Sequence, residues 1–289
     1  MISLVENQII NFIKNDEIIN RKILSNSFNM KCEKIELNNN KSYVLKYYEK
    51  ENIGFNSIIS EAKSLIYLYK IFPSIIPKIS FFSHELLIID FIKHNGIKHN
   101  DYQKILAREI IKIHSKTNKN YGFHFNSQIG AQEQPNKNSL NWKDFFKNQR
   151  IYPIYELINK SNKMPDRINV GLEKLIKNLE NLIPSNPTPR LLHGDLWEGN
   201  ILFNNGDLVG LIDPGIFFGH NEFELAYLSW FNYVDLSFFN NYSERIPLEK
   251  SYFEYEPVYQ IYYSLLNVYL WDRGYINDVY RLIKKLKLI

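Results

Sequence analysis

The stretch Leu191–His220, LLHGDLWEGNILFNNGDLVGLIDPGIFFGH, concentrates the side chains whose types and spacing can do chemistry. It opens on His193-Gly194-Asp195, places Asn200 after four intervening residues, and runs through the strand-like Asp207-Leu208-Val209-Gly210-Leu211-Ile212 into Asp213. A carboxylate, an amide and a second carboxylate in this order have the spacing of a phosphoryl-transfer loop. In such a loop the first carboxylate takes the proton of an attacking hydroxyl, and the other two groups hold Mg²⁺. The residue types suit that task. Mg²⁺ takes oxygen ligands and keeps several waters, so one carboxylate and one amide suffice when a nucleotide supplies the rest. Phosphoryl transfer needs positioning and charge neutralisation more than covalent help, so one carboxylate aimed at the hydroxyl completes the set. Asp195 is the candidate base, and Asn200 and Asp213 are the candidate Mg²⁺ ligands. Asp and Asn also recur on adjacent turns simply because they make turns. The complete order, H-G-D-x4-N, strand, D-P, favours the chemical reading.

Two upstream residues extend the set. Tyr43-Val44-Leu45-Lys46-Tyr47-Tyr48 puts a lysine inside an otherwise apolar strand, and Glu61 opens a helical segment, 61–72, with Ala62, Leu65, Ile66 and Tyr69 apolar. In a kinase plan such a lysine pairs with the α- and β-phosphates and with a glutamate of the next helix. The alternative is a solvent-facing lysine and a glutamate that favours the helix dipole. The order upstream of the loop prefers the pairing. Leu86–Ile92 is a short apolar run suited to a buried strand. By position, the backbone groups of Asp90 and Ile92 at its end would read an adenine edge.

The elements that must carry these residues follow from periodicity. Residues 2–13 place Ile2, Val5, Ile9, Phe12 and Ile13 on one helical face. Runs at 31–37 and 42–48, joined by Asn38-Asn39-Asn40-Lys41, read as a hairpin. Pro73 and Pro77 end the helix that contains Glu61. A helix over 101–116 carries Ile105, Leu106, Ile110 and Ile113 on one side, and another covers 167–182 until Pro184–Pro189 stops it. Further helices begin at Glu222 and cover 257–271 and 275–288. The pattern predicts an α+β, bilobal, protein-kinase-like fold: a small N-terminal β-sheet lobe over 1–92 for nucleotide binding, and a larger, mostly helical lobe over 93–289 for catalysis and substrate.

Composition bounds the function. A chain of 289 residues that is 45% hydrophobic can bury a substantial core. Its formal charge of +4 is spread along the chain, so neither a nucleic-acid stripe nor a polybasic membrane anchor is indicated. Cys32 is the single cysteine, which excludes an intrachain disulfide and a cysteine zinc cluster, and a small apolar filler in a strand is its simplest role. The N-terminus lacks a secretory pattern and no run reaches about 18 apolar residues. A cytoplasmic protein is the expectation.

These motifs resemble the fructosamine (ketosamine) kinase family, a branch of the aminoglycoside-phosphotransferase-like kinases. HGDLWEGN at 193–200 and FFGHNEFELA at 217–226 carry the likeness, with YGF at 121–123, IG at 129–130, Gln134 with Asn136, WKDFFKNQR at 142–150, YQIYYSLLN at 259–267 and RGY at 273–275. HGD-x4-N marks the superfamily; Trp197 together with His220-Asn221-Glu222-Phe223-Glu224 narrows it to the branch. The resemblance implies ATP- and Mg²⁺-dependent phosphorylation of the sugar 3-hydroxyl of ketosamines, small or on glycated protein amines, in a repair role. It implies Asp195 as base, Asn200 and Asp213 as metal ligands, Lys46 and Glu61 as the phosphate-positioning pair, and His193 as a brace of the loop. Trp197, His220 and Glu222 are candidates for shaping the acceptor site, since an indole can lie on a sugar and polar groups can bond hydroxyls. The alternative is packing for Trp197, and helix capping or loop binding for Glu222 and Glu224. Two features depart from the family: Ser25-Asn26-Ser27-Phe28-Asn29 stands without glycine where a glycine-bearing turn approaches phosphates, and LNVYLWDRGY lacks an often-present histidine and additional glycine. Two other functions stay open. One is a kinase of the same scaffold for an aminoglycoside, choline or another sugar hydroxyl; the other is a non-catalytic nucleotide-binding module.

Overall fold

The computed structural model describes residues 2–289, with side chains from Leu4 onward. Contacts divide the chain into two compact units. The first comprises the chain up to His99 together with Asn200–Gly215; the second comprises Asn100–Gly199 and Ile216–Ile289. A boundary at 92/93 does not anticipate the return of 200–215 to the first unit.

In the first unit, α1 (Ile2–Ile13) precedes β1 (Ile18–Ser27), β2 (Met30–Leu37) and β3 (Ser42–Tyr48), followed by α2 (Ser57–Ile71), β4 (Ile79–Phe82) and β5 (Leu86–Asp90). The strands form one antiparallel sheet in the order β1-β2-β3-β5-β4. Alternation along the strands decides its faces. Ile35, Leu37, Leu45, Tyr47, Leu86 and Ile88 pack with Val5 and Ile9 of α1. Lys46, one residue out of phase with Leu45 and Tyr47, therefore projects from the opposite face, where its partner Glu61 on α2 lies. The side chain of Ile2, expected on the apolar face of α1, lies outside the described residues.

Helix α2 begins four residues before Glu61. Asn56 caps it, its side chain accepting the Ile59 N–H at 3.0 Å, so Glu61 falls in the second turn and is only 2% exposed. The expectation that Glu61 opens the helix is thus corrected: the cap precedes the apolar period and sets the start. β1 was invisible to periodicity because it is an exposed edge strand held by its pairing with β2.

The second unit contains α3 (Tyr102–His114), a short hairpin of β6 (Ser127–Ile129) and β7 (Gln132–Gln134), α4 (Trp142–Phe146), a π-helical turn at Lys147–Ile151, α5 (Tyr152–Ser161), α6 (Asp166–Leu182) and β8 (Arg190–Leu192). Within 200–215 the first unit adds the hairpin β9 (Ile201–Asn204) and β10 (Asp207–Leu211). The second unit resumes with β11 (Phe217–Gly219), which pairs with β8, and then α7 (Asn221–Trp230), α8 (Leu236–Ser243), α9 (Tyr252–Leu270) and α10 (Ile276–Lys285). Its core is aromatic: Trp142 contacts Phe145, Phe146, Phe223 and Tyr259. Pro257, read from sequence as a helix start, lies inside α9. The carbonyl that its missing N–H would have bonded belongs to Phe253, an exposed residue of the first turn. Among the described residues, no helix is long and apolar enough to cross a membrane.

Candidate active site

In the first unit, β3 and α2 bring Lys46 and Glu61 together. Lys46 Nζ donates to Glu61 Oε1 at 2.7 Å and to Asp213 Oδ1 at 2.6 Å. Burial works against this ammonium, but the carboxylates of Asp213 and Glu61 outweigh it and raise its pKa well above the lysine range. It stays charged. The solvent-facing alternative for Lys46 is excluded by its burial on the sheet face.

The β9-β10 hairpin explains how Asn200 and Asp213 share this unit. Asn200 ends a 3-10 turn immediately before β9, Asp213 follows β10, and the Ile212 N–H donates to the Asn200 carbonyl at 3.1 Å. That bond closes the open end of the hairpin. Asp213 adopts φ +58, a left-handed conformation that Asp tolerates better than most residues. Among the described residues, no three His, Cys, Asp or Glu side chains are grouped to hold a metal unaided. One carboxylate and one amide oxygen flanking one hairpin nevertheless suit Mg²⁺ carried by a nucleotide, whose phosphates and waters would complete the coordination.

At the end of β5, the Asp90 N–H is bonded to the Lys78 carbonyl at 2.9 Å, and its side chain accepts Ser80 Oγ at 2.5 Å. The Ile92 carbonyl faces His94 Nδ1 at 2.8 Å. An adenine edge is thus left with the Asp90 carbonyl and the Ile92 N–H as its candidate partners. The Ile92 side chain packs on Gly210 of β10, where a Cβ would come within 2.7 Å of it.

In the second unit, the His193-Gly194-Asp195 loop is held by a residue of α7. Glu224 accepts the His193 N–H at 3.1 Å and the Gly194 N–H at 2.6 Å. Gly194 has φ +89, which glycine reaches without strain. His114 Nε2 bonds Glu224 at 2.9 Å, while its Nδ1 bonds the Tyr242 hydroxyl at 2.7 Å, and Asn221 donates to the same hydroxyl at 3.0 Å. Burial raises the Glu224 pKa, but the His114 hydrogen bond and the loop amides more than offset it, leaving the carboxylate below its usual range. Asp195 lies near enough to Tyr227 for its charge to oppose ionisation of that buried phenol.

The three acceptor candidates separate. Trp197 is 37% exposed, stacks obliquely on Phe231 at 5.7 Å, and rests against Gly199, where a Cβ would come within 2.4 Å of the ring. His220 and Glu222 are buried. His220 Nδ1 bonds the Tyr259 hydroxyl at 2.9 Å, and that hydroxyl accepts Trp142 Nε1 at 2.7 Å. Glu222 accepts the Glu249 N–H at 2.7 Å and the Tyr255 hydroxyl, and its own Oε2 lies 3.4 Å from His220 Nε2. Burial pushes the His220 pKa down to about 3 and the Glu222 pKa up to about 7.

Comparison with known proteins gives the family and the fold. The family model for fructosamine kinase matches residues 2–288. The chain belongs to the fructosamine kinase family. An Arabidopsis thaliana relative named protein-ribulosamine 3-kinase, chloroplastic, is 31% identical over 212 residues, 68% of this chain and 63% of its own length. The chain thus spans less than two thirds of that relative. A Thermobifida fusca YX-ER1 crystal structure designated a fructosamine-3-kinase superposes with a TM-score of 0.83 at 21% identity, covering 96% of this chain and 98% of that one. The streptomycin-ATP complex of APH(2")-IIa aligns with a TM-score of 0.66 at 19% identity, covering 99% and 98%. These two share the fold, which is the expected protein-kinase-like one.

What sequence reasoning undervalued is the brace. Glu224 had a signal, its place in the family's FELA motif. His114 had none, because its partner lies 110 residues away.

Proposed function

We propose that this family member is an ATP-dependent kinase that phosphorylates the 3-hydroxyl of a ketosamine sugar, on a small adduct or a glycated protein amine. The first unit carries the nucleotide role and the second the acceptor and catalytic role. The observation that supports this most is Lys46 held between Glu61 and Asp213, an arrangement suited to receiving phosphates. Lys46 takes the α- and β-phosphates with Glu61 orienting it, and the backbone of Asp90 and Ile92 takes the adenine. Asn200 and Asp213 would hold Mg²⁺, which would supply charge neutralisation on the phosphates. Asp195 accepts the proton of the sugar hydroxyl as that oxygen bonds the γ-phosphorus; the bond to the bridging oxygen breaks and ADP leaves. Trp197 offers its face to the acceptor, while His220 and Glu222 brace the base of α7, since both side chains are spent on internal partners.

Purified protein incubated with Mg-ATP and a fructosyl-amine, an aminoglycoside or choline tests this through ADP release, with Asp195→Asn as control. The expected result is ADP formation with the ketosamine alone and its loss in the variant, since an amide cannot take the proton. Equal turnover of choline would move the assignment to another hydroxyl on the same scaffold. ATP binding without turnover of any acceptor would make the chain a non-catalytic nucleotide module.

A further inference from the structure

The glycine-free segment Ser25–Asn29 is built differently from a flexible phosphate loop. Ser27 pairs with Met30, leaving a two-residue turn whose members, Phe28 and Asn29, both have positive φ, +54 and +63. Such a turn ordinarily selects Asn-Gly, because two left-handed residues in succession disfavour bulky side chains. Here a phenylalanine, 36% exposed, occupies the first position.

Asn29 supplies what holds the turn. Its Nδ2 donates to the Lys50 carbonyl at 3.1 Å, and its Oδ1 accepts the Lys50 N–H at 2.8 Å. Its own carbonyl accepts the Glu49 N–H at 2.9 Å. These bonds fasten the hairpin tip to the residues just past β3, the strand that carries Lys46. The hairpin body runs to the same place: Cys32 pairs with Lys46 on one side and with Ser25 on the other. The Cys32 thiol, raised to about 11 by burial, also feels the charges of Lys46, Asp213 and Glu61.

We propose that Asn29 is a positioning residue for the nucleotide: its paired bonds to Lys50 hold the Ser25–Asn29 turn in register with Lys46, so that phosphates meet a pre-formed arm. A glycine loop spends binding energy on ordering itself, whereas a clamped turn has that freedom removed beforehand. The inference rests on the proposed binding of ATP at Lys46.

The test titrates ATP calorimetrically, without acceptor, into wild type, Asn29→Ala and Asn29→Gly, and then measures kcat and KM with a ketosamine. Loss of the two side-chain bonds is expected to weaken ATP binding about tenfold in both variants, with kcat at saturating ATP within about twofold. Amide exchange across 27–31 and 49–51 should accelerate. Asn29→Gly is the sharper variant, because glycine takes the positive φ without strain while the clamp is lost; it carries the test if Asn29→Ala fails to fold. Wild-type ATP affinity in Asn29→Gly, or a fall in kcat with unchanged affinity, overturns the role of Asn29 alone. A wild-type chain that binds no ATP overturns the functional reading and this inference with it.

Discussion

Gly194 donates its backbone N–H to Glu224 Oε1 at 2.6 Å, so the loop carrying Asp195 is fixed by a carboxylate 30 residues further along the chain. The second oxygen of that carboxylate is occupied by the His193 N–H and His114. Glutamine in its place presents an amide N–H₂ to a backbone donor, and the loop must shift to separate them. Because displacement of a catalytic group by about 1 Å can cost about 10²-fold, Glu224→Gln should lower kcat by about that factor. ATP affinity should stay unchanged, since the proposed nucleotide groups belong to the first unit. Steady-state kinetics beside calorimetry decides it; a kcat within twofold of wild type would reduce Glu224 to packing.

Lys46→Met separates stability from function. Removing the ammonium strips a buried carboxylate, Glu61, of its counter-charge, and breaking a buried pair typically costs about 3–5 kcal/mol. The melting temperature should drop and ATP binding should disappear. In Lys46→Met with Glu61→Leu the apolar pair restores much of the melting temperature and none of the nucleotide binding. Recovery of ATP binding in the double variant would show that Lys46 only fills space.

Local signals placed the first unit's candidate residues on the elements that carry them. Period-two alternation placed Lys46 out of phase with the α1-facing core, and the D-x4-N and D-P spacing selected Asn200 and Asp213, which flank the β9-β10 hairpin. The start of α2 lies ahead of its apolar period because Asn56, and not the first periodic residue, ends the coil. What periodicity cannot carry is a partner remote in sequence. His114 reaches Glu224, and His220 reaches Tyr259, through α-helical packing that no local pattern encodes. The acceptor candidates show the same limit: three residue types able to bond a sugar were visible, but burial separates Trp197 from His220 and Glu222.

Glu222 makes stability depend on pH. Its pKa is raised from 4.5 to about 7, chiefly by burial, while the nearby Glu249 adds repulsion, the Tyr255 hydroxyl and Glu249 N–H partly compensate, and His220 beside it is held neutral. An acid whose folded pKa is raised keeps its full contribution below its unfolded value and loses it as pH climbs through the folded one. The loss should therefore run from about pH 4.5 to pH 7 and amount to about 3 kcal/mol. Glu222→Gln should flatten this slope and be the more stable form at pH 8. Parallel melting curves for the two proteins between pH 5 and 8 would dismiss the buried acid as the cause.

Trp197 is the acceptor candidate that solvent can reach, two residues beyond Asp195. Its indole lies against Phe231 and over the backbone of Gly199, so one face is packed and its orientation is set before any ligand arrives. A pre-oriented aromatic face against a sugar ring should be worth about tenfold in acceptor binding. Trp197→Ala is expected to raise the ketosamine KM by about that factor and leave the ATP KM unchanged, with Trp197→Phe intermediate. Gly199→Ala, by pushing the ring off its seat, should reproduce part of the effect without removing the indole. If Trp197→Ala lowers the melting temperature and leaves the ketosamine KM untouched, the ring serves packing alone and the acceptor is held elsewhere in the second unit.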